Sequence, residues 1–471
     1  MNIIKVDNNY SYLNTNDESL KDKLWKAFRF RDPECFHKTA YKRRLWDGYI
    51  NFFNKNNGKF LSGLLPEMLY AIKHFGHTFQ LNDKRAKFEW VYPSIDVDFL
   101  KKWNPSVTLY DYQADLVNQF MKAKRGIIQA PTSAGKTFIL ISILKCLPPK
   151  TPTLFLTRSK DLVEQNYNEM IQWGIENVGR FYDKYKTPNY ITCATCHVNT
   201  FECLKKILPH IKVLIVDEVH ECMSPIPLVA YPKMKNASVR CGISATPFKC
   251  GGDDKQHKFN VKGHYGPIIK TSKKEILTTK TLQERNILSE SIAYFYKINQ
   301  PEDIVYEPYQ DAVTLGISHN VYFHQAIQRL ARKLEGRTLI LVERLDQGDM
   351  LKKLLPEAHW ISGKDKMVVR KQVIEALKHD EKAIAIVMQK IITAGINVFV
   401  HNLINAAGGK AEHSIIQRLG RGLRKANDKE ILRYYDFIFT TNEYLLKHSY
   451  KRFHTVKKEG HSVSIIEDID F

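Results

Sequence analysis

Residues 126–137 read GIIQAPTSAGKT, an apolar run followed by a loop of small residues and a Gly-Lys-Thr sequence. With Ala130 in place of the first glycine, the loop follows the GxxxxGKT spacing, in which backbone N–H groups and a helix N-terminus surround the phosphates of a nucleoside triphosphate. Lys136 would then reach the β and γ phosphates, and the Thr137 hydroxyl would bind Mg²⁺. The other residues of this predicted phosphate loop are Pro131, Thr132, Ser133, Ala134 and Gly135. The plainer alternative is a Gly-Lys-Thr turn that begins an ordinary helix.

A second apolar run, KVLIVDEVH at residues 212–220, ends in two acidic residues. A phosphate loop works with a strand that carries a carboxylate for the metal, and Asp217 is predicted to fill that role. Glu218 is predicted to orient and deprotonate the water that attacks the γ-phosphate. A lone histidine usually belongs to a core or a helix cap, but the position of His220, two residues after the predicted base, favours a coupling role. The predicted cofactors are therefore ATP and Mg²⁺.

The charge balance indicates a polyanionic partner. The 471 residues include 71 Lys and Arg against 50 Asp and Glu, a formal net charge of +21, so nucleic acid and an anionic membrane surface are the classes to weigh. The apolar run at residues 137–147 is shorter than the ~20 residues that span a bilayer, and the first residues lack the pattern of a secretory signal. We therefore predict no membrane segment and a cytoplasmic location.

The cysteines point the same way, since eight in a chain of this length are too few for a disulfide scaffold. Residues 193–197 spell CxxCH, the pattern of c-type haem attachment, which requires an exported protein. Because no export signal is predicted, we interpret Cys193 and Cys196 as reduced cysteines that follow a buried strand.

Beyond residue 105, short β-branched runs alternate with helical stretches, which predicts βαβ units and mostly parallel sheets. The pattern weakens over residues 251–267 and then resumes, which indicates a second parallel α/β domain. We predict an α+β domain at residues 1–104, two α/β domains at 105–274 and 275–440, and a C-terminal helix and tail at 441–471.

The motifs in this order resemble those of superfamily 2 helicases. DEVH stands at residues 217–220 and SATP at 244–247, where the family couples nucleotide to nucleic acid, which implies coupling roles for Ser244 and Thr246. Gln113 in LYDYQ matches the residue that reads the adenine edge. The segments 154–165 and 191–200 match motifs Ia and Ib, which implies that Arg158 and Thr195 contact the nucleic-acid backbone.

The resemblance continues into the second domain and implies two tandem RecA-like P-loop domains. TAGIN at residues 393–397 resembles motif V, which implies that Gly395 and Asn397 contribute to nucleotide binding, although the preceding Met-Gln-Lys departs from the family's small residues. QRLGRGLR at residues 417–424 fits motif VI. Since charge builds on the γ-phosphate in the transition state, Arg421 and Arg424 are predicted arginine fingers, with Gln417 beside them.

The stretch YKRRLWDGYINFFNKNNGKF at residues 41–60 combines cations, aromatics and turn residues, and it predicts a strand that runs into a hairpin. Trp46, Tyr49 and some of Phe52, Phe53 and Phe60 are predicted to belong mostly to the core, and the alternative is that these aromatics stack on bases. Lys42, Arg43, Arg44, Lys55 and Lys59 are the candidates for contact with DNA phosphates. Residues 1–104 hold 18 Lys and Arg against 12 Asp and Glu, a net charge of +6.

This stretch, the short motor and the basic tail at residues 445–453 resemble phage UvsW-like helicases. The resemblance implies a monomeric DNA helicase, with an N-terminal DNA-binding domain, that acts on Holliday junctions, stalled forks and RNA:DNA hybrids in a bacterial host's cytoplasm. Two alternatives stay open: a double-stranded DNA translocase of a restriction-type complex, and a nucleic-acid-binding module whose ATPase fold is inactive.

Overall fold

A computed structural model describes residues 2–183, 185–248, 255–362, 365, 373, 377, 380, 382–389, 400–409 and 431–467 of the chain. The chain forms two compact units, one of residues 1–130 and 135–276 and the other of residues 131–134 and 277–471. Among the described residues, no helix combines the length and the apolar character needed to cross a lipid bilayer.

The first unit begins with a small α+β region. Its strands are β1 (Ile3–Val6), β2 (Tyr10–Asn14), β3 (Arg29–Arg31), β4 (Tyr49–Asn51), β5 (Lys59–Leu61) and β6 (Gln80–Asp83), and its helices are α1 (Glu18–Ala27), α2 (Thr39–Lys42) and α3 (Leu65–His74). A four-stranded sheet has the order β5-β2-β1-β6, and β3 pairs with β4 separately. Leu20, Leu24, Met68 and Ile72, spaced four residues apart on α1 and α3, are buried in its core.

The rest of the first unit is built on an eight-stranded sheet. Its strands are β7 (Arg125–Gln129), β8 (Thr153–Thr157), β9 (Val178–Tyr182), β10 (Tyr185–Thr187), β11 (Ile191–Thr195), β12 (Val213–Asp217), β13 (Val239–Ser244) and β14 (Ile268–Ile269). The helices are α4 (Asp111–Ala123), α5 (Lys136–Lys145), α6 (Lys160–Gln172), α7 (Val198–Cys203), α8 (Pro225–Ala230) and α9 (Lys255–Tyr265). The order is β10-β9-β11-β8-β12-β13-β7-β14, with only β10 antiparallel to its neighbour.

The second unit carries a seven-stranded sheet of order β17-β18-β16-β19-β20-β15-β21. The strands are β15 (Glu290–Ile298), β16 (Thr338–Val342), β17 (His359–Ile361), β18 (Ile384–Met388), β19 (Asn402–Asn405), β20 (Ile431–Phe439) and β21 (Ser462–Ile466), all paired in parallel. Its helices include α10 (Thr279–Glu284), α11 (Tyr309–Val313), α12 (Val321–Lys333), α13 (Leu345–Leu354) and α14 (Glu443–Lys458). The α14 residue Arg452 pairs with Asp436 of β20 at 3.0 Å, both fully buried.

The predicted fold class is confirmed, because both large sheets are parallel α/β sheets whose central strands are buried apolar runs. The predicted hairpin is wrong in its pairing. A turn at residues 54–58 is present, but β4 pairs with β3 and β5 with β2, so only Phe53 and Phe60 bridge the two arms. Each arm finds a partner in a different sheet, and the chain diverges after that single bridge.

Candidate functional site

Three motifs meet at one edge of the eight-stranded sheet. The phosphate loop follows β7, Asp217 ends β12 and Ser244 ends β13. The strand order places β13 between β12 and β7, all parallel. Because parallel α/β sheets bind ligands at the carboxyl ends of their strands, the fold brings the predicted nucleotide-binding residues together at this edge.

The phosphate loop has the backbone conformation that an anion cradle needs. Ser133 and Gly135 have positive φ angles of 68° and 74°, and α5 begins at Lys136. The φ angle of Gly135 lies in the left-handed region that favours glycine, and a Cβ atom there would lie 2.3 Å from the Gln113 side-chain nitrogen. The buried Thr132 hydroxyl has no hydrogen-bond partner among the described residues. Such an orphaned group beside a helix N-terminus fits a phosphate that completes the site.

Lys136 and Glu218 form a direct ion pair, and their side chains are only 17% and 15% exposed. Glu218 has a φ angle of 49°, a left-handed conformation that non-glycine residues rarely adopt and that is often retained at functional sites. The neighbouring Asp217 accepts a hydrogen bond from the Glu218 backbone N–H at 3.0 Å. The predicted metal ligand and the predicted base are therefore held side by side in a fixed orientation.

Ser244 is the centre of a buried network. Its hydroxyl donates to Glu218 Oε2 at 2.8 Å and accepts from the Thr246 N–H at 3.1 Å. His220 Nδ1 lies 2.8 Å from the same oxygen. Since the single hydroxyl proton is given to Glu218, His220 Nδ1 must carry a proton and donate it to Ser244. The geometry thus links His220, Ser244 and Thr246 to the predicted base.

The two carboxyl groups have opposite pKa shifts. Burial raises the pKa of Asp217 to about 6, with the charge of Glu218 adding to the effect. Burial would also raise the pKa of Glu218, but Lys136, His220 and the hydrogen bond from Ser244 together lower it to about 2. Glu218 is therefore ionised at neutral pH, and Lys136 contributes most to the lowering of its pKa.

Gln113, predicted to read adenine, is 1% exposed. Its Oε1 accepts a hydrogen bond from the Tyr110 N–H at 2.9 Å, which caps the N-terminus of α4. The structure therefore places Gln113 beside the phosphate loop and gives it a capping role that the sequence motif did not indicate.

The two predicted nucleic-acid contacts differ in exposure. The Arg158 side chain is 63% exposed and forms an ion pair with Glu221, which is 14% exposed and follows the DEVH sequence. Thr195, in contrast, is 4% exposed, and its hydroxyl lies 3.0 Å from that of Thr200. Thr195 ends an interior strand, and its hydroxyl bonds within the protein. It is therefore not exposed, although the family motif implies that it contacts the nucleic-acid backbone.

Among the predicted DNA-contacting residues of the N-terminal region, Lys42, Arg43, Arg44 and Lys55 are exposed and Lys59 is half-buried. Arg43 and Arg44 are both accessible, whereas Phe52, Phe53 and Phe60 are at most 7% exposed, which confirms the core prediction for these three aromatics. Trp46 and Tyr49 are half-buried. The remaining predicted residues, namely Gly395, Asn397, Gln417, Arg421 and Arg424, lie outside the described residues.

The N-terminal region packs directly on α9, and no sequence motif indicates this contact. Phe259 of α9 lies with its ring centroid 5.7 Å from Phe28, 4.7 Å from Phe30 and 5.4 Å from Phe52. Lys262 pairs with Glu67 at 2.6 Å. A spacing rule cannot find such a contact, because the partners are about 200 residues apart in the sequence.

A second contact involves two buried guanidinium groups. Arg240 is fully buried and donates to the side-chain oxygen of Asn9 and to the carbonyls of Ala237 and Met234. Arg125 donates to the Asn8 carbonyl at 2.6 Å and to the His264 carbonyl at 2.8 Å. The turn between β1 and β2 thus supplies acceptors for cations of the eight-stranded sheet. A buried cation that lost these acceptors would be costly.

Comparisons with known proteins show what the chain is similar to. The family model "Type III restriction enzyme, res subunit" matches residues 106–249. The "DNA 3'-5' translocase XPB2" of Sulfurisphaera tokodaii is 26% identical over 369 residues, 69% of this chain and 80% of that protein. The "ATP-dependent DNA helicase uvsW" of Enterobacteria phage T4 is 22% identical over 454 residues, 90% of this chain and 87% of that protein.

A solved structure of similar fold is the fragment of a putative HsdR subunit of a type I restriction enzyme from Vibrio vulnificus YJ016. It has a TM-score of 0.54 at 14% identity and covers 76% of this chain and 68% of that chain. This likeness shows the fold alone. The chain is thus similar to DNA helicases and translocases, and its alignment with the phage helicase runs along nearly its whole length.

Proposed function

We propose that this protein is an ATP-dependent helicase of superfamily 2, in the UvsW-like branch, which acts on DNA and remodels branched molecules. Its reactions would be the branch migration of Holliday junctions, the regression of stalled forks and the unwinding of R-loops, in phage recombination, repair and replication. It would work as a monomer in the cytoplasm of the bacterial host, with RNA:DNA hybrids among its substrates.

The observation that carries this proposal is the attachment of a basic N-terminal region to the ATPase sheet. Residues 1–104 have a net charge of +6, and Phe259 and the two buried arginines fix them to the first unit. A motor that rearranges a junction must hold one arm while it draws in another, and a basic surface attached to the motor supplies the second grip.

The ion pair of Lys136 and Glu218 suggests how ATP binding prepares hydrolysis. The β and γ phosphates of ATP would attract Lys136 away from Glu218, because a polyphosphate is the stronger anion. Without the Lys136 charge, the pKa of Glu218 rises from its lowered value, and the carboxylate becomes a better base for the attacking water. Ser244 holds the carboxylate in place during this exchange.

The donor set fits a hard cation. Thr137 and Asp217 would hold Mg²⁺, which supplies positive charge against the phosphates when it is bound. Gly395 and Asn397 remain proposed nucleotide contacts. Gln417, Arg421 and Arg424 remain the proposed groups that stabilise the transition-state charge.

The test compares four substrates at matched concentration: a forked duplex, a Holliday junction, an R-loop and an RNA duplex. We expect ATP-dependent products from the three branched substrates that contain DNA. Product from the RNA duplex alone would contradict the proposal. Binding should also weaken steeply with salt and show little sequence preference, because phosphate contacts dominate.

Two sets of variants distinguish ATP hydrolysis from DNA binding by the N-terminal region. Lys136→Ala should abolish turnover and leave DNA affinity largely intact, and wild-type turnover in this variant would refute the site assignment. Replacing both Arg43 and Arg44 should impair junction processing more than the ATPase activity on single strands. Equal losses of both activities would show that this surface is only structural.

The second candidate is a double-stranded DNA translocase that does not separate strands, and the family matched over residues 106–249 favours it. A translocase would displace a third strand bound to a duplex but would release no strand from the fork. The inactive binding module is disfavoured by the intact Lys136, Glu218 and Ser244 network. DNA-stimulated ATP hydrolysis, which such a module would lack, decides this point.

A further inference from the structure

The N-terminal region contains an open groove of about 670 Å³, within the ~300–1,000 Å³ of many ligand sites. We call it the 36–47 groove. It is lined by three aromatics, one leucine, two cations and one acid: Phe36, Tyr41, Trp46, Leu45, Lys42, Arg44 and Asp47. Phe36 and Tyr41 meet edge to face at 5.3 Å. The groove therefore combines apolar rings with charged side chains.

The turn that forms one wall costs stability. Helix α2 ends with hydrogen bonds from the Leu45 N–H to the Ala40 carbonyl and from the Arg44 N–H to the Tyr41 carbonyl, both 2.9 Å. Arg44 occupies the left-handed position of this cap, with a φ angle of 58°. Glycine is the usual residue there, because a side chain is strained in that conformation.

Leu45 departs from the same cap in a second way. The residue at its position normally packs an apolar side chain against the preceding helix, yet Leu45 is 78% exposed. Phe36 on the opposite wall is 54% exposed. Local stability therefore explains neither the arginine nor the leucine, and a ligand that covers both would explain the pair.

The charges at the groove define the class of ligand. Within the described part of the chain, Lys42 and Arg44, which line the groove, and the neighbouring Arg43 form no ion pair. Asp47, the acid among the lining residues, pairs with Arg29. These three cations therefore lie at or beside a groove lined by apolar rings. A ligand that offers both a flat ring and phosphates on either side is a nucleotide within a DNA strand.

We propose that the 36–47 groove binds one unstacked nucleotide at a branch point or end of DNA. The base would lie against Leu45 and Phe36, and the flanking phosphates would contact Lys42, Arg43 and Arg44. Bases in a continuous duplex are stacked and cannot enter, so the groove would distinguish branched DNA from duplex. This inference rests on the proposed function insofar as DNA is the substrate.

The test measures equilibrium binding of the full chain, without ATP, to three DNA molecules: a continuous duplex, the same duplex with one bulged nucleotide, and that bulge without its base. Wild type should bind the bulged duplex about tenfold more tightly than the other two, as expected for one stacked base. If the bulge without a base binds equally well, the groove does not hold a base and the proposal is wrong.

Leu45→Ala should remove most of this preference and leave both the affinity for continuous duplex and the salt dependence unchanged. Leu81→Ala is the matched control, since Leu81 is 45% exposed on the same region but outside the groove. Arg44→Gly relieves the strained turn, so it should fold, and it should lower the slope of log affinity against log salt by about one. Equal effects of Leu45→Ala and Leu81→Ala would overturn the proposal.

The four-substrate assay reports separately on the proposed function. If wild type forms the branched-DNA products but shows no preference for the bulge, only the proposal for the groove is refuted. If wild type prefers the bulge but forms none of those products, only the proposed remodelling function is refuted.

Discussion

Phe259→Ala should loosen the contact between the N-terminal region and α9. Truncation of a buried phenylalanine to alanine costs ~3–5 kcal/mol, and Phe259 is only half-buried, which favours the lower end. It nevertheless contacts three rings, each worth ~0.5–1.5 kcal/mol beyond the area buried. We therefore expect a loss of about 3 kcal/mol, or roughly 100-fold in the stability of this contact.

The functional effect should be selective. In the proposed mechanism, single-stranded DNA needs only the motor, so the ATPase activity that it stimulates should change little. The same mechanism has junction DNA bind the N-terminal region as well, so the junction-stimulated activity should fall severalfold. Amide hydrogen exchange should report the structural change, with faster exchange in β3, β4 and α9.

Tyr70→Ala is the matched control for this experiment. Tyr70 is an aromatic of the same region that is 72% exposed and stacks only against His74 among the ring pairs of the described residues. Unchanged exchange in α9 of Phe259→Ala would refute the energetic estimate. Equal losses of the two ATPase activities would refute the view that the N-terminal region supplies a second grip.

Three further outcomes follow from the site and the core. Ser244→Ala leaves Glu218 Oε2 without its hydroxyl donor, so we expect a stability loss of ~1–3 kcal/mol and at least tenfold slower DNA-stimulated ATP hydrolysis, with DNA affinity unchanged; wild-type turnover would contradict the network. Glu221→Gln breaks the ion pair with Arg158, which leaves Arg158 able to contact a DNA phosphate. DNA binding should therefore tighten, and the slope of log affinity against log salt should steepen by about one; an unchanged slope would argue against a contact between Arg158 and DNA phosphate. Burial and two nearby arginines lower the pKa of His264 to about 3. Below pH ~6.5 the unfolded chain therefore binds a proton at His264 that the folded chain does not. The free energy of unfolding is highest above this pH, and it should fall by ~2 kcal/mol between pH 6.5 and 5. Denaturant titration of His264→Gln, in which this part of the pH dependence should vanish, checks the assignment.

The sequence correctly predicted the strands whose side chains are buried on both faces of the sheet. The buried strands β7, β8 and β12 are continuous apolar runs, and such runs are typical of parallel sheets. Helix α9 was missed for the opposite reason. Phe259 packs against the N-terminal core, whereas Val261 and Tyr265 belong to the core of the eight-stranded sheet, so its apolar residues do not form a single stripe.

The chemistry of the site was predictable only in part. The Gly-Lys-Thr and Asp-Glu sequences have fixed spacings within single loops, so Lys136 and Glu218 could be identified from the chain alone. Glu221 could not, since its pairing with Arg158 depends on β8 and β12 lying side by side, and local spacing does not determine strand order. The buried Arg125 and Arg240 were also missed, because an arginine in a basic chain is usually exposed.

The acceptors that surround Arg125 and Arg240 have a consequence for attempts to take this protein apart. A fragment that starts at residue 105 would lose the Asn8 carbonyl and the Asn9 side chain and would uncover the Phe259 ring. Grafting residues 1–104 onto an unrelated motor would fail equally, unless the recipient also received α9 and both guanidinium groups. The N-terminal region is therefore not an exchangeable module, and the smallest unit that can be transplanted is the pair of regions together.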